Sequence, residues 1–480
     1  MMNAHNASLG IGSSTSRGFG TPPPSSVLRH ALLICVLSLA IRLPWAALAQ
    51  VTPISDFAGY DSLARKWLTT GEFGFANGRA YRTPGYPGFL AAIYWVSGYS
   101  TRTAQIAQAV LGAVTSGLIV LLASRLIGPR SAALAGLLHA MWPTSLAYVP
   151  VLASENLAVP FVLLTLLAAT WEKESLRRRC AATGAAGLCF GILLLVRPAA
   201  LFFLPAIALL AIWEPSSKRW RLRPAIVWVA VLGLTLWPWF VRNYRLGLGL
   251  PTLSTAGGIN LWMGNHAEAR HGGYRGGYPA AQAEGFPKGE VEAHRALKAA
   301  AMRWIVGHPW RYLTLCGQRA KRLLGTTADP WAAKWLYPVA GNDDAVVAAY
   351  RDKRSASQPA DLLARARALQ VRHGRMLTEF RAVAAPLMLT ALILGMLHYR
   401  KFGVVVLPAL SYAIGTSATF MQERFRELWD PLLLIPLAGL LADIISGTAN
   451  LPPYSRLGRW IKLTMGALAL TVSITALRGP

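Results

Sequence analysis

ALLICVLSLAIRLPWAALAQ, residues 31–50, decides how the rest of the chain is read. It is an apolar run that ends in small residues. It can be a secretory signal with a cleavage site, or the first of many membrane spans. Arg42 interrupts the apolar core, the leader ahead of it is long, and later apolar runs need a first one, so the span reading holds. Working outward, apolar runs of about 16–24 residues recur along the chain, long enough to cross or nearly cross a bilayer. The 480 residues are 54% hydrophobic and only 14% charged, against roughly 25% charged in an average soluble protein. The expected fold class is an all-α polytopic membrane protein.

The formal net charge is +27 and the isoelectric point about 10.7. In a soluble chain such a charge points to nucleic acid. Here many Lys and Arg stand in short loops between apolar runs, where they orient helices and meet anionic membrane lipids, so no nucleic-acid partner is expected. Cys35, Cys180, Cys189 and Cys316 form neither a disulfide framework nor a CxxC metal site. Spans are expected at 27–49, 104–126, 131–149, 154–171, 179–196, 198–213, 224–241, 383–398, 403–420, 428–446 and 459–477. With these spans, the basic short loops 127–130, 172–179, 214–223, 399–401 and 452–459 all fall on one side, taken as cytoplasmic. The run PGYPGFLAAIYWVSG, 84–98, is short and holds Pro and Gly. Counted as a span it would invert two basic loops, so it is read as a half-buried helix on the outer surface, within a total of about 11–13 transmembrane helices.

The expected organisation follows. Residues 1–26, rich in Gly, Ser, Thr, Pro and Asn, form a disordered cytoplasmic tail. Residues 27–241 form an N-terminal transmembrane module with a first outer loop at 50–103 that carries interfacial helices. Residues 242–382 form a large outer segment, and 383–480 the C-terminal transmembrane helices.

Several residues in this frame can carry chemistry. In ISDFAGYDSLARKWLTTGEF, 54–73, the residues Tyr60, Leu63, Ala64, Trp67 and Leu68 recur at helical spacing, which makes an amphipathic helix in the outer interface. Asp61 and Arg65 are a ready i,i+4 surface pair. Asp56 either caps the helix or does chemistry. Arg82 in YRTPGYP, 81–87, either snorkels or meets a phosphate. Arg42, Glu155, Arg197, Arg424 and Arg426 all reach the outer ends of spans in this topology. Charge at that depth is costly, and an acid with several arginines suits an anionic head group. His266, Glu268 and His271 are loosely spaced metal candidates in a glycine-rich loop, His139 reads as a hydrogen-bonded core residue, and Asp329-Pro330-Trp331 reads as a turn.

The order of these motifs carries a resemblance. IRLPW (41–45), SDFAGYD (55–61), YRTPGYP (81–87), ASENL (153–157), VRP (196–198), WPWFVRN (237–243), STAGGINLWMGN (254–265) and ERFR (423–426) occur in sequence from residue 27 to about 446. In that order the chain resembles the GT-C glycosyltransferases that use lipid-phosphate sugars, of the protein O-mannosyltransferase and lipid A aminoarabinose transferase type. The resemblance implies a hexosyl or pentosyl transferase in the plasma (inner) membrane with its active site on the outer, periplasmic face. The donor would be a sugar on a polyprenyl phosphate, and the acceptor an envelope lipid, glycan or protein. It implies Asp56 as the catalytic or metal-linked carboxylate and Arg82, Arg197 and Arg424 as donor phosphate-binding residues. Tyr60, Glu155, Arg42 and Arg426 are the expected substrate-binding residues. Phe57 follows Asp56 where many relatives carry an acidic pair, so one charge that would hold a divalent cation is missing, and the cofactor is left open. Two other classes stand beside this reading: a transporter or flippase of a lipid-linked sugar, and an O-antigen polymerase or ligase acting on a lipid pyrophosphate.

Overall fold

The computed structural model describes residues 25–49, 51, 55–170, 175–214, 219–220, 222–269, 277–325, 360–397 and 399–445. The tail at 1–24, the span expected at 459–477, His271 and the Asp329-Pro330-Trp331 turn lie outside the described residues.

Helix α1 (Ser25–Leu48) packs along α4 (Thr101–Ile127). The first outer loop lies between them. There α2 (Ser55–Thr70) buries Phe57, Tyr60, Leu63 and Ala64 on one face, the face its apolar spacing predicts. Helix α3 (Gly85–Ser97) has 13 residues. At 1.5 Å per residue that is about 20 Å, short of a hydrocarbon layer of about 30 Å. It packs on α2, α4 and α8. Asp61 pairs with Arg65 at 3.1 Å, but it is buried rather than on the surface, because Tyr94 donates to it at 2.7 Å.

The expected span 131–149 is divided into α5 (Pro129–Ala140) and α6 (Pro143–Tyr148). Pro143 has no N–H with which to continue the first helix and is suited to start the second. Next come α7 (Glu155–Ala169) and α8 (Leu176–Val196), then a 3-10 turn (Pro198–Phe203), α9 (Leu204–Ile212) and α10 (Leu222–Arg245). A two-residue antiparallel pair, Trp213–Glu214 with Arg219–Trp220, joins the last two. The segment expected to lie outside supplies α11 (Ala256–Gly264), α12 (Gly277–Ala283), α13 (Glu290–Gly307) and α14 (Pro309–Leu324). Helix α15 (Ala360–Leu397) runs unbroken for 38 residues through the boundary expected at 382–383. Helix α16 (Tyr399–Thr419), a 3-10 turn (Glu423–Phe425) and α17 (Arg426–Ile445) complete the described chain.

Among the described residues six helices are long and apolar enough to cross a membrane, within 25–48, 101–127, 176–196, 222–245, 402–419 and 423–445, with shorter apolar helices at 155–169 and 198–212. Helix α17 is central, with Trp429, Leu432, Leu433 and Ile435 fully buried. Charges at this depth are paired. Arg381 of α15 meets Asp430 of α17 at 3.0 Å, both side chains 1% exposed, and Trp142 donates to the same carboxylate at 3.1 Å. His139 lies in a buried hydrogen-bonded cluster, 2.9 Å from Ser116 Oγ and 3.3 Å from Ser145 Oγ.

Candidate active site

Five charged side chains, distant in sequence, form one continuous chain of ion pairs. Asp56 stands in the first turn of α2, where the helix dipole favours a carboxylate. Its Oδ1 accepts from Arg82 Nη2, and its Oδ2 accepts from Arg424 Nη2 at 2.8 Å. The Nε of Arg424 lies 3.8 Å from Glu155 Oε1. Arg197 Nη1 meets that same oxygen at 2.8 Å and Ser154 Oγ at 3.1 Å. The order is thus Arg82, Asp56, Arg424, Glu155, Arg197: two acids between three arginines, with cations at both ends.

Each member is placed by a junction between helices. Arg197 is the residue at which α8 ends and the 3-10 turn begins, and Glu155 opens α7. Arg82 precedes the proline turn that starts α3. Gly85, three residues on, lies so close to α8 that a Cβ there would be 2.7 Å from the backbone of Leu195 and Val196. Only glycine permits that approach, and it carries the Arg82 turn to the α8 terminus that ends in Arg197. Arg82 also lies over the rings of Tyr81 and Tyr60, 4.7 and 5.2 Å from their centroids.

The three arginines and Tyr60 line a cavity of about 470 Å³. Another wall comes from residues 251–254, Asn260, His294 and Lys298. Neither Asp56 nor Glu155 lines it; both stand behind the arginines. Glu155 is 2% exposed and Asp56 28%. Burial alone would raise the Asp56 carboxyl, but the charges of Arg82 and Arg424 outweigh it and hold the group well below the usual carboxylate range. Asp56 is therefore an ionised anchor for two guanidinium groups.

Two of the expected substrate-binding residues lie away from this cavity. Arg42 is fully buried and faces the end of α5, donating to His139 O and Ser145 Oγ, each at 3.0 Å, and to Ala140 O at 3.3 Å. Arg426 donates to Leu323 O at 3.0 Å and to Arg322 O, at the end of α14. Both donate to carbonyls in the last turn of a helix, where the dipole favours a cation, and neither lines the cavity. Glu155 is ion-paired with Arg197 and Arg424 and does not line the cavity. Sequence reasoning missed His294 and Lys298. Their only signal is i,i+4 spacing on a helix whose Ala293, Leu297 and Ala301 are buried.

A divalent cation does not fit the carboxylates present. The Arg424 guanidinium stands between Asp56 and Glu155, where two acids would hold a metal, and both Asp56 oxygens already accept from arginines. Among the described residues no group of three or more His, Cys, Asp or Glu gathers. His266 is stacked on Trp262 at 4.7 Å and accepts from Glu268 N at 3.2 Å, which makes it a turn residue.

Residues 81–241 match the family of dolichyl-phosphate-mannose-protein mannosyltransferases. The fold is similar to that of the Archaeoglobus fulgidus oligosaccharyltransferase in its apo form, with 14% identity and a TM-score of 0.51. That match covers 93% of this chain and 54% of the other, so this chain spans about half the length of that enzyme. ArnT from Cupriavidus metallidurans bound to undecaprenyl phosphate aligns at 16% identity and a TM-score of 0.37, over 86% of this chain and 78% of that one. No curated protein sequence matches the chain.

Proposed function

The chain has the GT-C glycosyltransferase fold of a multi-pass membrane protein, and on that premise we propose that it transfers a single sugar from a polyprenyl-phosphate donor. The acceptor is an envelope lipid, glycan or protein, met at the outer face of the plasma membrane. The observation that carries this reading is the convergence of Arg82, Arg197 and Arg424 on one cavity, braced from behind by Asp56 and Glu155. Guanidinium groups offer planar pairs of donors to phosphate oxygens. Held by the ionised carboxylates of Asp56 and Glu155, they need little reorganisation when charge develops. The matched family takes its sugar from a lipid phosphate, which this cavity suits.

In this reading an acceptor oxygen attacks the anomeric carbon. The bond from that carbon to the phosphate oxygen breaks, its electron pair leaves with the lipid phosphate, and the acceptor's proton passes to a phosphate oxygen, from which it is lost to water. The arginines stabilise the phosphate as its charge grows. Asp56 orients Arg82 and Arg424; as a strongly ionised carboxylate it is a weak base. Tyr60 and the outer-segment wall with His294 and Lys298 shape the acceptor side. No step runs through a metal.

The test is transfer from a radiolabelled polyprenyl-phosphate sugar in membranes that contain the protein. Asp56→Asn at normal expression is expected to abolish most transfer, and full activity in that variant would sink the assignment. Offering a pyrophosphate-linked oligosaccharide in the same assay separates this reading from a polymerase or ligase. Movement of the donor across the bilayer without transfer separates it from a flippase.

A further inference from the structure

Helix α13 presents one stripe to the reaction. Glu290, His294 and Lys298 recur at i,i+4 spacing, so they lie on one face. His294 and Lys298 line the cavity; Glu290 does not. Instead its carboxylate reaches across 210 positions of sequence to the turn that carries Arg82. Ala80 N donates to both Glu290 oxygens, at 3.0 and 3.2 Å, and Thr255 Oγ1 donates to the first at 2.7 Å. The neighbouring bonds continue the clasp. Thr255 N donates to Ala80 O at 3.1 Å, and Ser254 Oγ donates to Tyr81 O at 2.6 Å. Ala80 and Thr255 are both fully buried and Glu290 is half-buried, and the bonds to the carboxylate are charge-assisted.

Ala80 N, Ala80 O and Tyr81 O, three polar backbone groups just before Arg82, are thus held by Glu290, Thr255 and Ser254. From the other side, the Gly85 contact holds the same turn against α8. We propose that Glu290 is a positioning residue for the donor site: through Ala80 and Thr255 it fixes the turn that aims Arg82 at Asp56 and the cavity. This rests on the role given to Arg82 above. His294, one turn along α13, sits 3.0 Å from Thr255 O, so the helix that walls the acceptor side is fastened to the turn that serves the donor side. Acceptor seated against α13 and donor phosphate seated on Arg82 therefore act on one clasp.

The experiment is a double-mutant cycle on the full-length protein in detergent or nanodiscs. It reads the donor KM, kcat and the equilibrium binding of polyprenyl phosphate alone. Glu290→Ala is expected to raise the donor KM and the lipid-phosphate Kd by about tenfold, the scale of one lost charge-assisted hydrogen bond, with a smaller change in kcat. Glu290→Gln, which keeps an oxygen for Ala80 N, is expected to restore most of the affinity. In an Arg82→Ala background, Glu290→Ala is expected to cost nothing further. If Glu290→Ala does not accumulate, Thr255→Val carries the same cycle with a smaller effect. Independent, additive losses overturn the clasp while leaving the proposed function in place. Full activity in Arg82→Ala overturns both.

Discussion

Arg424 is the residue on which the site turns, because it alone touches both carboxylates. Arg424→Ala would remove a hydrogen-bond donor to the phosphate and leave Asp56 and Glu155 without their shared cation, and the single-turnover rate of transfer is expected to fall on the order of 10²–10³-fold. Arg42→Ala should behave otherwise. It would uncover carbonyls at the end of α5, lowering the melting temperature while leaving the donor KM as it was. The two outcomes separate a guanidinium that faces a substrate from one that closes a helix, a distinction the sequence does not carry. Arg42, Arg424 and Arg426 all read as outer-face arginines. Which of them points to a cavity depends on which helix ends lie within reach, and that is set by tertiary packing. Asp56, Arg82 and Arg197 were legible because motif order and loop charge placed them on one side. The pH response follows from the same geometry. A carboxyl depressed in the folded state gives stability that is complete above its unfolded value, near 4, and fades only as pH falls toward the lower folded value. The donor KM is therefore expected to stay flat from pH 7 to about 5 as far as Asp56 is concerned. A rise with a midpoint in that window would mean that Asp56 is not tied to its arginines.

At the scale of elements, the site depends on how closely the start of α3 meets the end of α8. Gly85→Ala would put a methyl group against the Leu195–Val196 backbone, which cannot swing aside as a side chain can. The expected cost is about 1–3 kcal/mol of stability, read by thermal unfolding. Donor affinity should fall with it, since the Arg82 turn and Arg197 would separate. Long apolar helices such as α1, α4 and α8 were plain in the sequence from their length and composition. Element boundaries were less plain where a proline or a 3-10 turn intervened, as at Pro143 and Pro198. The stripe of Glu290, His294 and Lys298 was hidden for another reason. It belongs to an ordinary amphipathic helix, and nothing in its own spelling says that Ala80 will lie beside it.

At the scale of the molecule, two contacts among several fasten residues 251–325 to the rest of the chain near the cavity. One is the clasp on Ala80. The other is Arg319 of α14, fully buried, which donates to Thr419 O at the end of α16 at 2.6 Å and to Asn265 Oδ1 at 2.8 Å. Between these two anchors lies the cavity, closed on one side by the membrane helices and on the other by α11 and α13. The alternating charges at its base have a consequence for turnover. The row begins and ends in a cation, so an added anion is attracted wherever it joins. A sugar-bearing lipid phosphate carries one negative charge; once the sugar has gone, the free phosphate carries close to two near neutral pH. In the proposed reaction the three arginines would therefore grip the spent carrier more tightly than the fresh one. Departure of that carrier, not transfer, is expected to set the steady rate. Rapid-quench kinetics should show a burst of about one sugar per protein molecule before the slower phase, and added carrier phosphate should inhibit in competition with the donor. A linear time course from the first turnover would show that the spent lipid leaves freely.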